Sequence, residues 1–235
     1  MFEREHHVRI ATILQALDTE LLAKHFCYFG GGTAIVLSRH EYRESADIDF
    51  LVSDRAGYQA IRQLMTGEGG IQTIARAGAE LTAVREVRAD QYGIRTMLRV
   101  AQVEIKFEIV LEGRINLEPP SLKDRICGVA TLTPLDMIAS KLLANSDRWM
   151  DDSVFSRDLI DLAMLEPSRQ LLARAIEKAA AAYGESIVRD LGRAVEKLGK
   201  RVGRLDECMA TLEIDRVPKA LLWKRIRRLK PAEKN

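Results

Sequence analysis

Cysteine is scarce in this chain: three in 235 residues, Cys27, Cys127 and Cys208, far apart and odd in number. No CxxC spacing exists, so neither a zinc site nor a disulfide framework is indicated, and all three read as small buried apolar residues. No run approaches 18 uncharged apolar residues, which excludes a membrane-spanning helix. The first residues, Met1-Phe2-Glu3-Arg4-Glu5-His6-His7, lack the apolar stretch of a signal peptide, so a cytoplasmic location is the default. His6, His7, His25 and His40 do not cluster at ligand spacing and are given no role. There is no G-x-S-x-G elbow, and with it goes a serine hydrolase. Internal repeats and low-complexity segments are also missing.

What is present is an ordinary globular balance, 47% apolar and 30% charged, enough for a packed core in one large domain or two small ones. The net charge of +2 hides an asymmetry. From Arg189 onward 14 basic residues stand against 7 acidic ones, a net +7, while the preceding residues carry 22 against 27, a net −5. A basic end on an acidic body points to a polyanionic partner such as RNA, and reads equally as a solvated helical face.

Val8 to Phe26 has apolar residues at spacings of three and four and is predicted as one amphipathic helix. Tyr28-Phe29 runs into Gly30-Gly31-Gly32, and Thr33 to Arg39 reads as a short helix after the glycines. A strand is expected from about Asp47 to Ser53, a helix over Ala56–Met65, and short strands at Ile71–Ile74, Thr82–Val87, Ile94–Val100 and Val103–Leu111. In the last, Ile105, Phe107 and Ile109 face one way and Glu104, Lys106 and Glu108 the other. The short joins predict hairpins and a mixed sheet. Glu118-Pro119-Pro120-Ser121 marks a boundary between a core domain, 1–120, and a helical domain, 121–235. Thr133-Pro134-Leu135-Asp136 is a helix start. Further helices are expected at Ser156–Leu165, Ser168–Tyr183, Ser186–Leu198 and Val217–Leu229. The class is thus α/β (α+β), a mixed-sheet core followed by helices, with the active site expected in the cleft between the domains.

Chemistry concentrates on Gly30-Gly31-Gly32-Thr33 and Arg43-Glu44-Ser45-Ala46-Asp47-Ile48-Asp49. In a strand, the spacing of two puts Asp47 and Asp49 on one face, where their carboxylates repel unless a cation lies between them. Oxygen-only ligation suits magnesium, which accepts phosphate oxygens as further ligands. The glycines offer backbone N–H groups beside a helix N-terminus, a place for a triphosphate. Arg43 can neutralise phosphate charge and Ser45 can donate to it. A two-metal site wants a third carboxylate; Glu104 and Glu108 are available, and Glu108 is preferred as metal ligand or activating base.

Gly31-Gly32-Thr33 followed by Arg43-x-Ser45-x-Asp47-Ile48-Asp49 resembles the first motif of the AbiEii/AbiGii toxin family, within the DNA polymerase β-like nucleotidyltransferase superfamily and related to the MenT toxins. Leu135 to Leu142 with Lys141, then Arg148, then Arg157-Asp158-Leu159-Ile160-Asp161-Leu162, is similar to the family's helical motif. The likeness spans about Tyr28 to Leu165. Where the family often carries aspartate on the later strand, this chain carries Glu108. The resemblance implies transfer of an NMP unit from an NTP, with two Mg2+ ions, to an acceptor hydroxyl, tRNA above all, by a toxin paired with an antitoxin. It implies that Asp47 and Asp49 hold metal, Lys141 contacts the nucleotide phosphates, Asp158 positions Lys141 or the nucleotide, and Gly31, Gly32 and Ser45 line the triphosphate. On spacing alone, Lys141 and the Arg157-Asp158-x-x-Asp161 run read as surface charge. The rivals are a small-molecule or protein acceptor on the same core, and a degenerate core that binds nucleotide or RNA without turnover.

In the basic end, Arg189, Arg193, Lys197, Arg201 and Arg204 form one stripe if the helix is continuous. Trp223 among Lys219, Lys224, Arg225, Arg227, Arg228 and Lys230 could stack a base, while Leu221, Leu222, Trp223, Ile226 and Leu229 form a face for docking on the body. Both are expected together, with Trp223 buried.

Overall fold

The computed structural model describes residues 2–230, in two compact units. The first comprises the chain up to Ser38 and Ser45–Thr133; the second comprises Arg39–Glu44 and the chain from Pro134. The break falls at Thr133/Pro134, past the boundary expected at residue 120. The intervening residues carry a small hairpin, β6 (Arg125–Ile126) and β7 (Val129–Ala130), and the Leu132 N–H donates to the Phe29 carbonyl at 3.0 Å, tying them to the first unit.

In the first unit five strands form a mixed sheet: β1 (Tyr28–Phe29), β2 (Ile48–Val52), β3 (Arg88–Ala89), β4 (Gly93–Val100) and β5 (Val103–Leu111), in the order β1-β2-β5-β4-β3. Only β2 and β5 run parallel. The alternation in β5 is observed as expected: Ile105, Phe107 and Ile109 are fully buried and the residues between them face outward or lie half-buried. Phe29, Phe50 and Phe107 stack through β1, β2 and β5 with ring centroids 5.6 and 5.5 Å apart. Each buried ring contributes about 1.5–3 kcal/mol, and each tilted pair about 0.5–1.5 kcal/mol more.

The expected helix Val8–Phe26 is two helices, α1 (Glu5–Ala16) and α2 (Thr19–Lys24). Apolar spacing continues across the break, but Leu17 is extended and bridges Ala75, and Asp18 caps α2 by accepting from the N–H groups of Glu20 and Leu21. The strand expected at Ile71–Ile74 is a 3₁₀ turn, Gly70–Ile74, and Thr82–Val87 makes only an isolated bridge, Ala83 to Leu98. Ile71 and Ile74 are buried by the turn itself, whereas residues 82–84 reach β4 through two backbone hydrogen bonds, Val84 N–H to the Met97 carbonyl and Arg99 N–H to the Thr82 carbonyl. Helices α3 (Gly31–Ser38) and α4 (Arg55–Thr66) form where expected, α4 starting at an Asp54 carboxylate that accepts from the Gly57 N–H.

The second unit is helical: α5 (Pro134–Arg148), α6 (Arg157–Leu165), α7 (Arg169–Tyr183), α8 (Ser186–Lys200), α9 (Arg204–Thr211) and α10 (Lys219–Arg228). The basic stripe is not continuous, because α8 ends at Lys200 and Gly203, at φ +77°, opens α9. Three of its five residues converge on Asp152. Lys197 and Arg201 pair with the carboxylate at 2.8 and 2.7 Å, and Arg204, only 6% exposed, donates to the Asp152 carbonyl. These cations fasten α8 and α9 to the turn after α5 and do not form an open RNA-binding ridge. In α10, Leu222 and Ile226 are buried, as is Leu229 beyond it, whereas Trp223 is half-buried against Gly199. Cys27 and Cys208 are buried as expected; Cys127 is half-buried. Among the described residues no helix is long and apolar enough to cross a membrane.

Candidate functional site

The glycine segment meets Asp49 at contact distance. The Gly30 N–H donates to the Asp49 carbonyl at 2.8 Å, and Gly31 follows at φ +67°. A Cβ on Gly31 would lie 2.4 Å from Asp49 Oδ2 and 2.9 Å from its Cβ. Glycine is therefore required twice at this position, for the left-handed backbone and for the room that the carboxylate fills. Gly31 and Gly32 open α3, so their N–H groups have no carbonyl partner within that helix. The site thus puts a carboxylate beside N-terminal helix amides.

Asp47 lies just before β2 and Asp49 within it, both half-buried. Thr33 Oγ1 donates to the Asp47 carbonyl at 2.5 Å. Its proton is then committed, so the 2.8 Å contact with Ser45 Oγ has Ser45 as donor. The Ser45 N–H donates to His7 Nε2 at 3.2 Å. Ser45, expected to donate to phosphate, instead has both donors engaged in shaping the loop, with Thr33. His7, which was given no role, is fully buried beneath that loop. No spacing signal could have linked residues 7 and 45.

Glu108 is directly opposite Asp49 in the parallel β2–β5 register. Its Oε1 accepts from Arg95 Nε and its Oε2 from Lys106 Nζ, both at 2.6 Å. Burial would raise the Glu108 pKa, but Lys106 and Arg95 override it and hold the carboxyl below its usual range. Burial likewise works against the Lys106 charge, and Glu108, then Asp49 and Asp47, more than offset it, so the ammonium is held above its usual range. Lys106 thus ion-pairs with Glu108 while Asp49 and Asp47 add to the field that keeps it charged. Glu108, expected as metal ligand or base, has both oxygens in ion pairs, and its depressed pKa makes it a weak proton acceptor. Asp47 and Asp49 retain the hard-oxygen chemistry magnesium needs. Among the described residues no three His, Cys, Asp or Glu side chains form a ready-made metal cluster. Glu104 is exposed and pairs with Arg99 at 3.3 Å, outside this group.

A second constellation lies within the helical unit. Lys141 Nζ, on α5, is 2.9 Å from Asp158 Oδ1 and 2.7 Å from Asp161 Oδ2, both on α6. Arg148 forks onto Asp158 at 2.6 and 3.0 Å. Arg43 forks onto Asp161 at 2.8 and 2.9 Å and donates from its remaining nitrogen to the Glu44 carbonyl. Tyr42 Oη donates to the same Asp161 carboxylate at 2.5 Å. Burial would raise both aspartate pKa values, but Lys141 and Arg148 drive Asp158 well below the carboxylate range, and Arg43 and Lys141 lower that of Asp161. Burial and the Asp161 charge push the Tyr42 phenol up.

Asp158 holds Lys141 as expected, and neither is surface charge: they are 3% and 6% exposed. Arg43, read as a phosphate ligand, is instead a buried structural partner of Asp161, 2% exposed with every guanidinium nitrogen engaged. The roles of Tyr42 and Asp161 went unassigned. Asp161 sits three residues after Asp158 and so shares its helix face; Tyr42 carries no comparable signal.

Comparison with solved structures finds JHP933 from Helicobacter pylori, at 17% identity and TM-score 0.49, covering 98% of this chain and 94% of that one. It also finds an H. pylori chain described as a nucleotidyltransferase, at 18% identity and TM-score 0.49, covering 96% and 93%. Comparison with curated proteins gives no match. Residues 12–232 match the family described as nucleotidyl transferase AbiEii toxin, type IV TA system, which spans both the Gly31–Asp49 contact and the Lys141 constellation. The chain belongs to the AbiEii nucleotidyltransferase toxin family.

Proposed function

We propose that this chain is a cytoplasmic, magnesium-dependent nucleotidyltransferase that moves an NMP unit from an NTP to a hydroxyl of RNA, tRNA foremost, as the toxin paired with a cognate antitoxin. The observation that carries the reading is the seat of Asp49 against Gly31, which puts a carboxylate next to the amides of Gly31 and Gly32. Phosphoryl transfer needs that adjacency: a cation on the carboxylates and N–H donors on the same phosphate chain.

In this reading Asp47 and Asp49 hold magnesium, which when bound supplies charge for the triphosphate and lowers the pKa of the acceptor hydroxyl. Gly31 and Gly32 bind phosphate oxygens through their N–H groups, and Thr33 and Ser45 keep the loop closed around the Asp47 carbonyl. Lys141, which the family resemblance assigns to the nucleotide phosphates, is held within the helical unit by Asp158 and Asp161. The acceptor oxygen bonds to the α-phosphorus, the bond from that phosphorus to the bridging oxygen breaks in line, and pyrophosphate leaves with the electron pair. The hydroxyl proton goes to solvent, since the ion-paired Glu108 is a poor base. Glu108 instead anchors Lys106, which faces Asp47 and Asp49. Within the net +7 of the C-terminal residues, the exposed cations outside the Asp152 cluster support a polyanionic acceptor.

One observation favours a second reading, binding of nucleotide or RNA without turnover: the closed ion pairs of Glu108 remove a third metal ligand. The test is incubation with each NTP labelled at the α-phosphate, magnesium and total tRNA, beside Asp49→Ala. Label on tRNA that vanishes in the variant supports the proposal. Label on protein or small molecules alone changes the acceptor, and nucleotide binding with no label anywhere establishes the second reading.

A further inference from the structure

A cavity of about 920 Å3 lies within the helical unit, walled by the end of α6, by α7 and by the end of α10. It contains none of the residues discussed above as catalytic. Its floor includes Leu172 and Ile176, four apart on α7 and so on one face, both half-buried. Ala163 and Leu229, both almost fully buried, back this face from α6 and from the residue after α10.

The rim is cationic. Arg169 stands at the start of α7, and Arg227 and Arg228 at the end of α10. All three are exposed, and among the described residues no carboxylate pairs with them. The rim's one carboxylate, Glu166, is engaged by Arg225. Arg225 also reaches Met164 Sδ at 3.3 Å and leaves its buried Nε–H without an acceptor. A buried donor left unpaired costs free energy that an incoming acceptor recovers.

An inorganic anion would neutralise the arginines and leave Leu172 and Ile176 uncovered. RNA would find no aromatic ring in the lining on which to stack a base. The volume lies at the upper end for a small-molecule pocket. A ligand with one aliphatic face and carboxylates along its flanks satisfies both floor and rim, and a helix with apolar residues at i, i+3, i+4 and i+7 has that form. We propose that this cavity is a docking groove for an acidic amphipathic helix of a protein partner, independent of nucleotidyl transfer.

The test is selection of a displayed library of helical peptides, each about four turns long, on the full-length protein. Counter-selection uses a variant carrying Ile176→Lys, Arg227→Glu and Arg228→Glu, accepted only if its circular dichroism and unfolding temperature match the parent. A library of single-stranded RNA is selected in parallel. The proposal expects enriched peptides with leucine-like residues on one face and Asp or Glu on its flanks. Their affinity should fall at least about tenfold in Ile176→Lys and in the double arginine variant separately, and should weaken with salt. It is overturned if no peptide survives counter-selection, if the survivors lack either face, or if RNA is enriched and lost in the same variants. It is equally overturned if peptides bind only after residues 231–235 are removed, which would make the chain's own end the occupant.

Discussion

The two charged constellations are built from the same residue types with opposite excess. In the sheet unit, Asp47, Asp49 and Glu108 face Lys106 and Arg95, so the carboxylates outnumber the cations and the group is partly open to water. In the helical unit, Arg43, Lys141 and Arg148 outnumber Asp158 and Asp161, and the group is mostly buried. The first is short of positive charge and suits a metal cation. The second has positive charge beyond its own carboxylates and suits an anion. Burial also separates them: in the helical unit a lost partner leaves a charge that water cannot reach, so the interaction is read as stability, whereas the sheet unit reads it as ligand affinity.

The sharpest way to break this comparison is Asp161→Ala, which strands Arg43, takes one of the two carboxylate partners of Lys141 and removes the acceptor of Tyr42. The expected cost is about 3–5 kcal/mol, measured by denaturant unfolding; a loss comparable to that of a surface pair would mean the cluster is not closed. Next is Gly31→Ala, which forces a Cβ into the Asp49 carboxylate at a positive φ. Displacement of a catalytic group on the scale of 1 Å is expected to cost about a hundredfold in nucleotidyl transfer, with the unfolding temperature much less affected. Transfer at the parental rate would remove Asp49 from the chemistry.

Lys106→Met takes the fixed cation from the carboxylates and frees one Glu108 oxygen. Divalent-ion affinity, read by calorimetry with Mn2+, is expected to rise by about tenfold, near 1.4 kcal/mol; unchanged affinity would show that the lysine is not competing for that charge. Acid should act on the other unit. The folded pKa values of Asp158 and Asp161 lie below their unfolded values, so their stabilisation is complete above the unfolded carboxylate pKa near ~3.9 and is lost as pH falls through the folded values. Stability of the wild type should therefore fall more steeply with acid than that of Asp158→Asn, and parallel profiles would contradict the assignment. The smallest effect is expected at the half-exposed Arg201, where Arg201→Ala should cost under about 1 kcal/mol, despite its good geometry on Asp152.

Legibility in the sequence followed the range of the interaction. Strand β5 was readable because alternation is local; the glycines and the paired aspartates were each picked out by residue type, but their contact, Gly31 against Asp49, comes from the fold. The α1–α2 break was missed because apolar spacing outweighed the Asp18 cap. Arg43 was misassigned because a basic residue beside an aspartate motif looks like a phosphate ligand, and its partner lies 118 residues away. Arg95 and Glu108 face each other only through the β4–β5 register, which no single strand reveals. The basic stripe failed for a similar reason: Gly203 interrupts it, and Asp152 gathers cations that spacing alone had left in solvent.

The segment Arg39–Glu44 belongs to the helical unit although the sheet unit flanks it on both sides. No single cut in the chain therefore yields two intact pieces. A fragment beginning at Pro134 would lack Tyr42 and Arg43, and its Asp161 would lose three of the four donor contacts it makes in the whole protein. The helical unit is thus not a module that recombination could graft onto another core by one crossover. Any exchange would have to carry a six-residue loop from the middle of the other unit with it, which ties the inheritance of the two halves together.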